Sequence, residues 1–153
     1  AVQPHPLCHR NRKLPEQLFA GLYLQHLQPI YKTIAIAQQL QEQHMLVAVS
    51  DGDLGSRYAL QLLGMPPHGI QFLETYISCE RRIRKPALYA HAAEHLWNKH
   101  DIAVDRCVYV DDIPSYVDFI GSFGGRGILF NGAKEPAEML RARLRWAGIQ
   151  IED

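Results

Sequence analysis

The chain has 153 residues, 47% of them apolar, with two Trp, seven Tyr and five Phe, which suits one folded domain with a sizeable core. Sixteen basic residues balance sixteen acidic ones, so no global charge favours nucleic acid or an anionic membrane as a partner. No apolar run approaches the roughly 18–20 residues of a membrane span, residues 1–13 carry nothing like a signal peptide, and the odd, scattered Cys8, Cys79 and Cys107 read as reduced thiols of a cytoplasmic protein.

Residues 1–13 hold Pro4, Pro6, His5, His9, Arg10, Arg12 and Lys13 but no acid, and read as an irregular basic arm. Helical spacing follows over 15–27, with Leu18 and Leu22 on the apolar side. Pro29 opens a second helix whose Ile30, Ile34, Ala37 and Leu40 recur every three or four residues. The run Met45–Val49 then reads as a strand covered on both faces, ended by Ser50. A helix is expected over Ser56–Leu63, stopped at Gly64 with Pro66 and Pro67 beyond it. Phe72–Ile77 is the next strand, and Pro86–His100 a helix with Pro at its first turn. Cys107–Val110 is a strand, Tyr116–Phe123 a helix, Gly127–Phe130 a strand and Pro136–Trp146 a last helix before Gly148. Strands alternating with helices predict an α/β fold, a three-layer doubly wound parallel sheet.

In such sheets ligands bind at the carboxyl ends of the strands. Ser50 and the pair Asp111 and Asp112 stand at two such ends, and Lys85 enters the helix between them. Each residue type suits phosphoryl chemistry, in which positioning and charge stabilisation dominate. Ser50 can donate to a phosphoryl oxygen, assisted by the amides of Asp51 and Gly52, where glycine permits close backbone approach. Lys85 can neutralise a carboxylate and a phosphate. Asp111 and Asp112 can offer oxygen ligands to Mg²⁺.

This order and spacing resemble motifs two, three and four of the haloacid dehalogenase (HAD) superfamily of phosphohydrolases. The stretch LQPIYKTIAIAQQLQEQHMLVAVSDGD resembles the approach to the second motif, ISCERRIRKPALYAHAAEHL the third, and DRCVYVDDIPSYVDFIGSFGGRGILF the fourth. The resemblance divides the chain into residues 1–28, an arm and helix in the place of a cap remnant, and residues 29–153, the Rossmann-like core. It implies a Mg²⁺-dependent hydrolase acting on a small phosphorylated metabolite, with Ser50, Asp51, Gly52 and Lys85 binding phosphate, Lys85 serving catalysis, and Asp111 and Asp112 holding the metal. Related families dehalogenate without Mg²⁺, and the acidic pair favours the phosphatase.

One member of the set is absent. The family's first motif is an Asp-x-Asp strand end carrying the nucleophile, upstream of the second, and residues 1–49 contain no Asp. The core is therefore expected to lack its usual first strand. Such a sheet leaves unpaired edges and apolar surface, so a homo-oligomer is expected to cover them. The alternative to an enzyme is a catalytically inactive binding or interaction module. Asp51-Gly52-Asp53 has the Asp-x-Asp spacing of a first motif, but its continuation Leu54-Gly55-Ser56 fits poorly. It reads better as a polar turn that caps the next helix. Where the fourth motif often continues with Asn or Asp, this chain has Tyr116 and Val117, with Asp118 shifted along the helix.

Three further patterns carry less. His91-Ala92-Ala93-Glu94-His95 has the spacing of a zinc-protease helix, set against a pair of exposed histidines. His5, Cys8 and His9 form a weak metal pattern. Arg81, Arg82, Arg84 and Lys85 are a basic run able to receive a polyanion or simply to be solvated.

Overall fold

A computed structural model of the chain describes residues 28–152. The basic arm, the helix expected over 15–27 and the His5, Cys8, His9 pattern lie outside the described residues. The described elements are α1 (Tyr31–Leu40), β1 (Leu46–Ser50), α2 (Leu54–Gly64), β2 (Phe72–Ile77), the one-turn α3 (Ser78–Arg81), α4 (Ala87–His100), a 3₁₀ turn (Val104–Arg106), β3 (Val108–Asp111), α5 (Pro114–Ser122), β4 (Arg126–Leu129) and α6 (Ala137–Trp146). No helix among them is long and apolar enough to cross a membrane.

The strands form two parallel pairs. β1 lies beside β2, from Leu46 against Phe72 to Ser50 against Ile77. β3 lies beside β4, from Val108 against Arg126 to Asp111 against Leu129. No ladder joins the pairs among the described residues, so the doubly wound sheet is present as two halves. Within the described residues the expected helices and strands occur, with shifted edges. α2 begins at Leu54 because Asp53 caps it, its carboxylate accepting the Gly55 amide at 2.8 Å. α5 begins at Pro114, two residues before the expected start, with proline in the first turn. α1 begins at Tyr31, which leaves Ile30 outside the helix and exposed, while Ile36 turns into the core.

Helices cover both faces. Ile36 of α1, Ile128 of β4 and Leu140 and Leu144 of α6 make one cluster, against which Val108 packs. On the other face Tyr76 of β2 meets Leu88 and Ala92 of α4, with Val47 and Val49 against them. Tyr89 of α4, Tyr109 of β3 and Ile120 of α5 continue that face, and Val49 touches this cluster too. The alternation in β3 follows from the period of two: Tyr109 points to α4 and α5, Val108 to α1 and α6.

α5 lies close on β4 because Gly127 has no side chain. A Cβ built there would stand 2.7 Å from Val117 Cγ1 and 3.0 Å from the Val117 carbonyl oxygen. A backbone atom cannot swing aside as a side-chain tip can. Gly127→Ala is therefore expected to cost roughly 1–3 kcal/mol by overpacking, read from urea unfolding.

Glu74 of β2 ties the edge strand to the end of α4. It accepts from Lys99 Nζ at 2.5 Å and His100 Nε2 at 2.8 Å, and these hydrogen bonds hold its carboxyl down to about 2 from an ordinary 4.5. A depressed carboxyl stabilises the fold above its unfolded pKa, and that contribution fades as pH falls through the folded value. Stability should thus decline between about pH 4.5 and 2. In Glu74→Gln the unfolding free energy, followed by circular dichroism across that window, should fall less steeply than in the parent.

Candidate functional site

β1 ends at Ser50, and the chain turns sharply through Asp51, Gly52 and Asp53. The turn is fixed from three sides. The Gly52 carbonyl accepts Ser78 Oγ at 3.1 Å and the Cys79 amide at 3.3 Å, which pins it to the end of β2. Asp53 is occupied as the cap of α2. Asp51 Oδ1 accepts the backbone amide of Lys85 at 3.1 Å. Gly52 is required by crowding, since a Cβ there would stand 1.9 Å from Ser56 Oγ and 3.0 Å from Ser50 Oγ. Asp51–Asp53 thus acts as the polar turn and helix cap expected of it.

Lys85 and Asp111 form the centre. Lys85 Nζ lies 2.6 Å from Asp111 Oδ2, with side chains only 12% and 4% exposed. The Tyr89 hydroxyl donates to the same Oδ2, and the Ile113 amide donates to Oδ1 at 2.9 Å. Burial on its own would push the Asp111 carboxyl up. The lysine, the phenol and the amide outweigh it and hold the group below its ordinary value. Burial and the Asp111 charge push the Tyr89 phenol far up, so it stays a donor. Lys85 Nζ also sits 4.9 Å from the Tyr89 ring centroid and 5.8 Å from that of Tyr116, within reach of cation–π attraction.

The contacts bring five of the six expected residues to one edge. Ser50, Asp51 and Gly52 close β1, and Lys85 reaches from Asp51 across to Asp111 at the end of β3. Asp112 is next in the chain, exposed. The two carboxylates differ in what they have left to give: Asp111 is engaged at both oxygens, and Asp112 faces solvent. Among the described residues no three His, Cys, Asp or Glu side chains gather into a metal site. Mg²⁺ needs less from the protein than zinc does, because it keeps several waters and takes one or two carboxylates along with phosphate oxygens. The oxygen donors here fit that ion in kind.

Tyr89 is the site residue that the sequence reading missed. Its position four residues after Lys85 was the available signal, since such residues share a helix side. The basic run beside the site points outward at Arg81, Arg82 and Arg84, with the Arg81 guanidinium 5.4 Å from the Tyr76 ring centroid.

The zinc-like pair departs from both of its readings. His91 and His95 are half-buried, not exposed. Their rings stack on each other and meet the edge of Tyr76, and His95 Nδ1 is 2.7 Å from the Tyr76 hydroxyl. Glu94 is exposed. The pair therefore packs α4 on β2 through an aromatic contact.

No family model matches the chain, and no curated protein does. Solved structures do. A HAD family enzyme from Bacteroides thetaiotaomicron superposes with a TM-score of 0.60 at 16% identity, over 74% of this chain and 56% of that one. An aspartate-to-alanine mutant of that enzyme, in complex with magnesium and inorganic phosphate, gives 0.62 at 15% identity over 85% and 68%. A predicted HAD-like family hydrolase from Porphyromonas gingivalis gives 0.63 at 19% identity over 88% and 67%. The chain spans little more than half of the first of these structures. At such identities the likeness speaks for the fold: this chain has the α/β fold of the HAD-like hydrolases.

Proposed function

We propose that this chain supplies the phosphoryl-binding and Mg²⁺-binding side of a HAD-type phosphohydrolase that acts on small phosphorylated molecules. The nucleophilic Asp-x-Asp would come from polypeptide other than residues 1–49. The observation that carries this is the Lys85 bridge: one residue donates its amide to Asp51 after β1 and its ammonium to Asp111 at the end of β3. Three separated stretches of sequence thereby meet where an α/β sheet binds ligands.

In this reading Ser50 Oγ and the amides of the following turn receive a phosphoryl oxygen, and Gly52 keeps the backbone close. Lys85 holds the charge of the phosphate and of the incoming carboxylate, and Asp111 positions Lys85. Asp112, with its free oxygens, is the first ligand for Mg²⁺, which when bound offsets charge on the phosphoryl oxygens. The magnesium and phosphate bound by the Bacteroides enzyme support this ligand chemistry.

An inactive binding module is the second reading. It is favoured by the same ion pair, because the Lys85 charge is already met by Asp111 and no third acid joins the two aspartates among the described residues.

Thermal unfolding tests for the pocket. Mg²⁺ together with inorganic phosphate should raise the Tm by roughly 2–4 °C, and Asp112→Ala should abolish the rise. No rise in the parent chain would overturn the site as proposed. If the rise is present, phosphatase assays of the protein carrying an Asp-x-Asp strand decide between enzyme and module.

Lys85 also supports the fold, and the two roles separate. Lys85→Met strands a buried carboxylate and should cost about 3 kcal/mol in urea unfolding. Adding Asp111→Asn removes the stranded charge and should recover much of that loss, while the response to phosphate stays absent.

A further inference from the structure

The peptide unit that joins Arg84 to Lys85 is fixed at both of its polar groups. Its carbonyl accepts the Leu88 amide at 2.9 Å, in the first turn of α4. Its N–H donates to Asp51 Oδ1 at 3.1 Å, in the turn after β1. The two side chains leave this fixed unit in different directions. Lys85 goes inward to Asp111, and Arg84 is exposed. Adjacent Cα atoms stand about 3.8 Å apart, so Arg84 is rooted at the rim of the phosphoryl seat and reaches outward from it.

Arg84 differs from the arginines that hold the fold. Arg57 and Arg143 meet carboxylates, and Arg126 and Arg141 donate to backbone carbonyls. The Arg84 side chain makes no ion pair and no hydrogen bond among the described residues. Near it stands Tyr116 of α5, at the place where the fourth motif often has Asn or Asp. The Tyr116 ring centroid is 5.8 Å from Lys85 Nζ, and its hydroxyl makes no hydrogen bond among the described residues. Burial and the charges of Asp51 and Asp111 push this phenol up, while the Arg84 charge draws it down. The hydroxyl therefore stays a donor, and the guanidinium is near enough to act on it.

We propose that the substrate of this site carries a carboxylate besides its phosphate, and that Arg84 and Tyr116 recognise it. This rests on the phosphohydrolase reading and adds the substrate class. Lys85 and Mg²⁺ are assigned to the phosphoryl group and to the aspartates around it, so the Arg84 charge remains for a further anion. A guanidinium matches a carboxylate through two parallel hydrogen bonds, and the Tyr116 hydroxyl can donate one more. A second phosphate would bring nearly two charges against this one cation.

The probe is a pair of phosphonates that differ only at the far end. 3-Phosphonopropionate ends in a carboxylate and propylphosphonate in a methyl group, and neither has a phosphate ester to cleave. Each is titrated calorimetrically into the full chain with Mg²⁺, beside inorganic phosphate. 3-Phosphonopropionate should bind roughly tenfold tighter than propylphosphonate, the worth of about one charge-assisted pair. Arg84→Gln should bring the two level. Arg84→Lys keeps the charge without the planar fork and should restore part of the ratio. Tyr116→Phe should lower the ratio, and Arg82→Gln should leave it in place. Each ratio is taken within one protein, so the stability of a variant does not enter it.

Equal binding of the two phosphonates by the parent chain overturns the proposal and leaves the phosphohydrolase reading standing. So does a ratio lost to Arg82→Gln as fully as to Arg84→Gln, since a diffuse positive field would then be its cause. If inorganic phosphate and both phosphonates all fail to bind, the phosphoryl site itself is overturned, and the proposal with it.

Discussion

The buried pair of Lys85 and Asp111 is the contact that joins the two halves of this domain at the functional edge. Each half is a strand–helix–strand crossover with its own cluster of apolar contacts, and no ladder runs between them among the described residues. A charge pair so little exposed is not free, because desolvation opposes it. It holds here because the remaining capacity of the carboxylate is met by Tyr89 and the Ile113 amide. Losing one partner leaves the other stranded, so the pair links the site and the fold.

α4 carries the same connection below the edge. Leu88 and Ala92 on one side of the helix pack toward β1 and β2, while Tyr89 meets Tyr109 of β3 edge to face at 5.5 Å. One helix therefore spans both half-sheets on that face. On the opposite face α1 and α6 pack on β3 and β4 around Ile128 and Phe130, and β1 has less cover. The halves are thus well joined at one face and at the carboxyl edge, and open between.

Much of this was legible in the sequence. The run Met45–Val49 stops at a serine, so β1 and the residue that ends it could be located. Proline at the first turn marked α4, and the acidic pair marked the end of β3, whereas Pro114 at the start of α5 went unused. Helix starts were less legible. α2 begins at Leu54, two residues before the expected start: the capping turn at Asp51–Asp53 could be read, but the apolar spacing that follows does not show which of its residues caps. α3 has only four residues, too few for a period. The fate of His91 and His95 depended on which face of α4 meets Tyr76, a tertiary fact. The absence of Asp before Ser50 could be read directly, and with it the expectation of unpaired edges, whereas which two strands would carry them could not. Apolar strands look alike in sequence whether or not a neighbour lies beside them.

The site and the missing ladder between β1 and β3 are two views of one constraint. In a parallel sheet the last residues of adjacent strands make the ligand site, and the residues before them make the core. Below the edge, Val47, Val49, Val108 and Val110 are apolar but incompletely covered. At the edge, Ser50 and Asp112 retain unspent hydrogen-bonding and ligating capacity while Lys85 is turned to Asp111. A strand entering between β1 and β3 would cover the valines along its length and bring its own last residues to Lys85. Core and chemistry would then be completed by the same segment. An acid at its end would compete with Asp111 for the ammonium, and the loops after β1 and β3 would be held by two carboxylates around one lysine. That arrangement has the charge balance to accept a phosphate with a divalent cation, because the cation offsets what the second carboxylate adds.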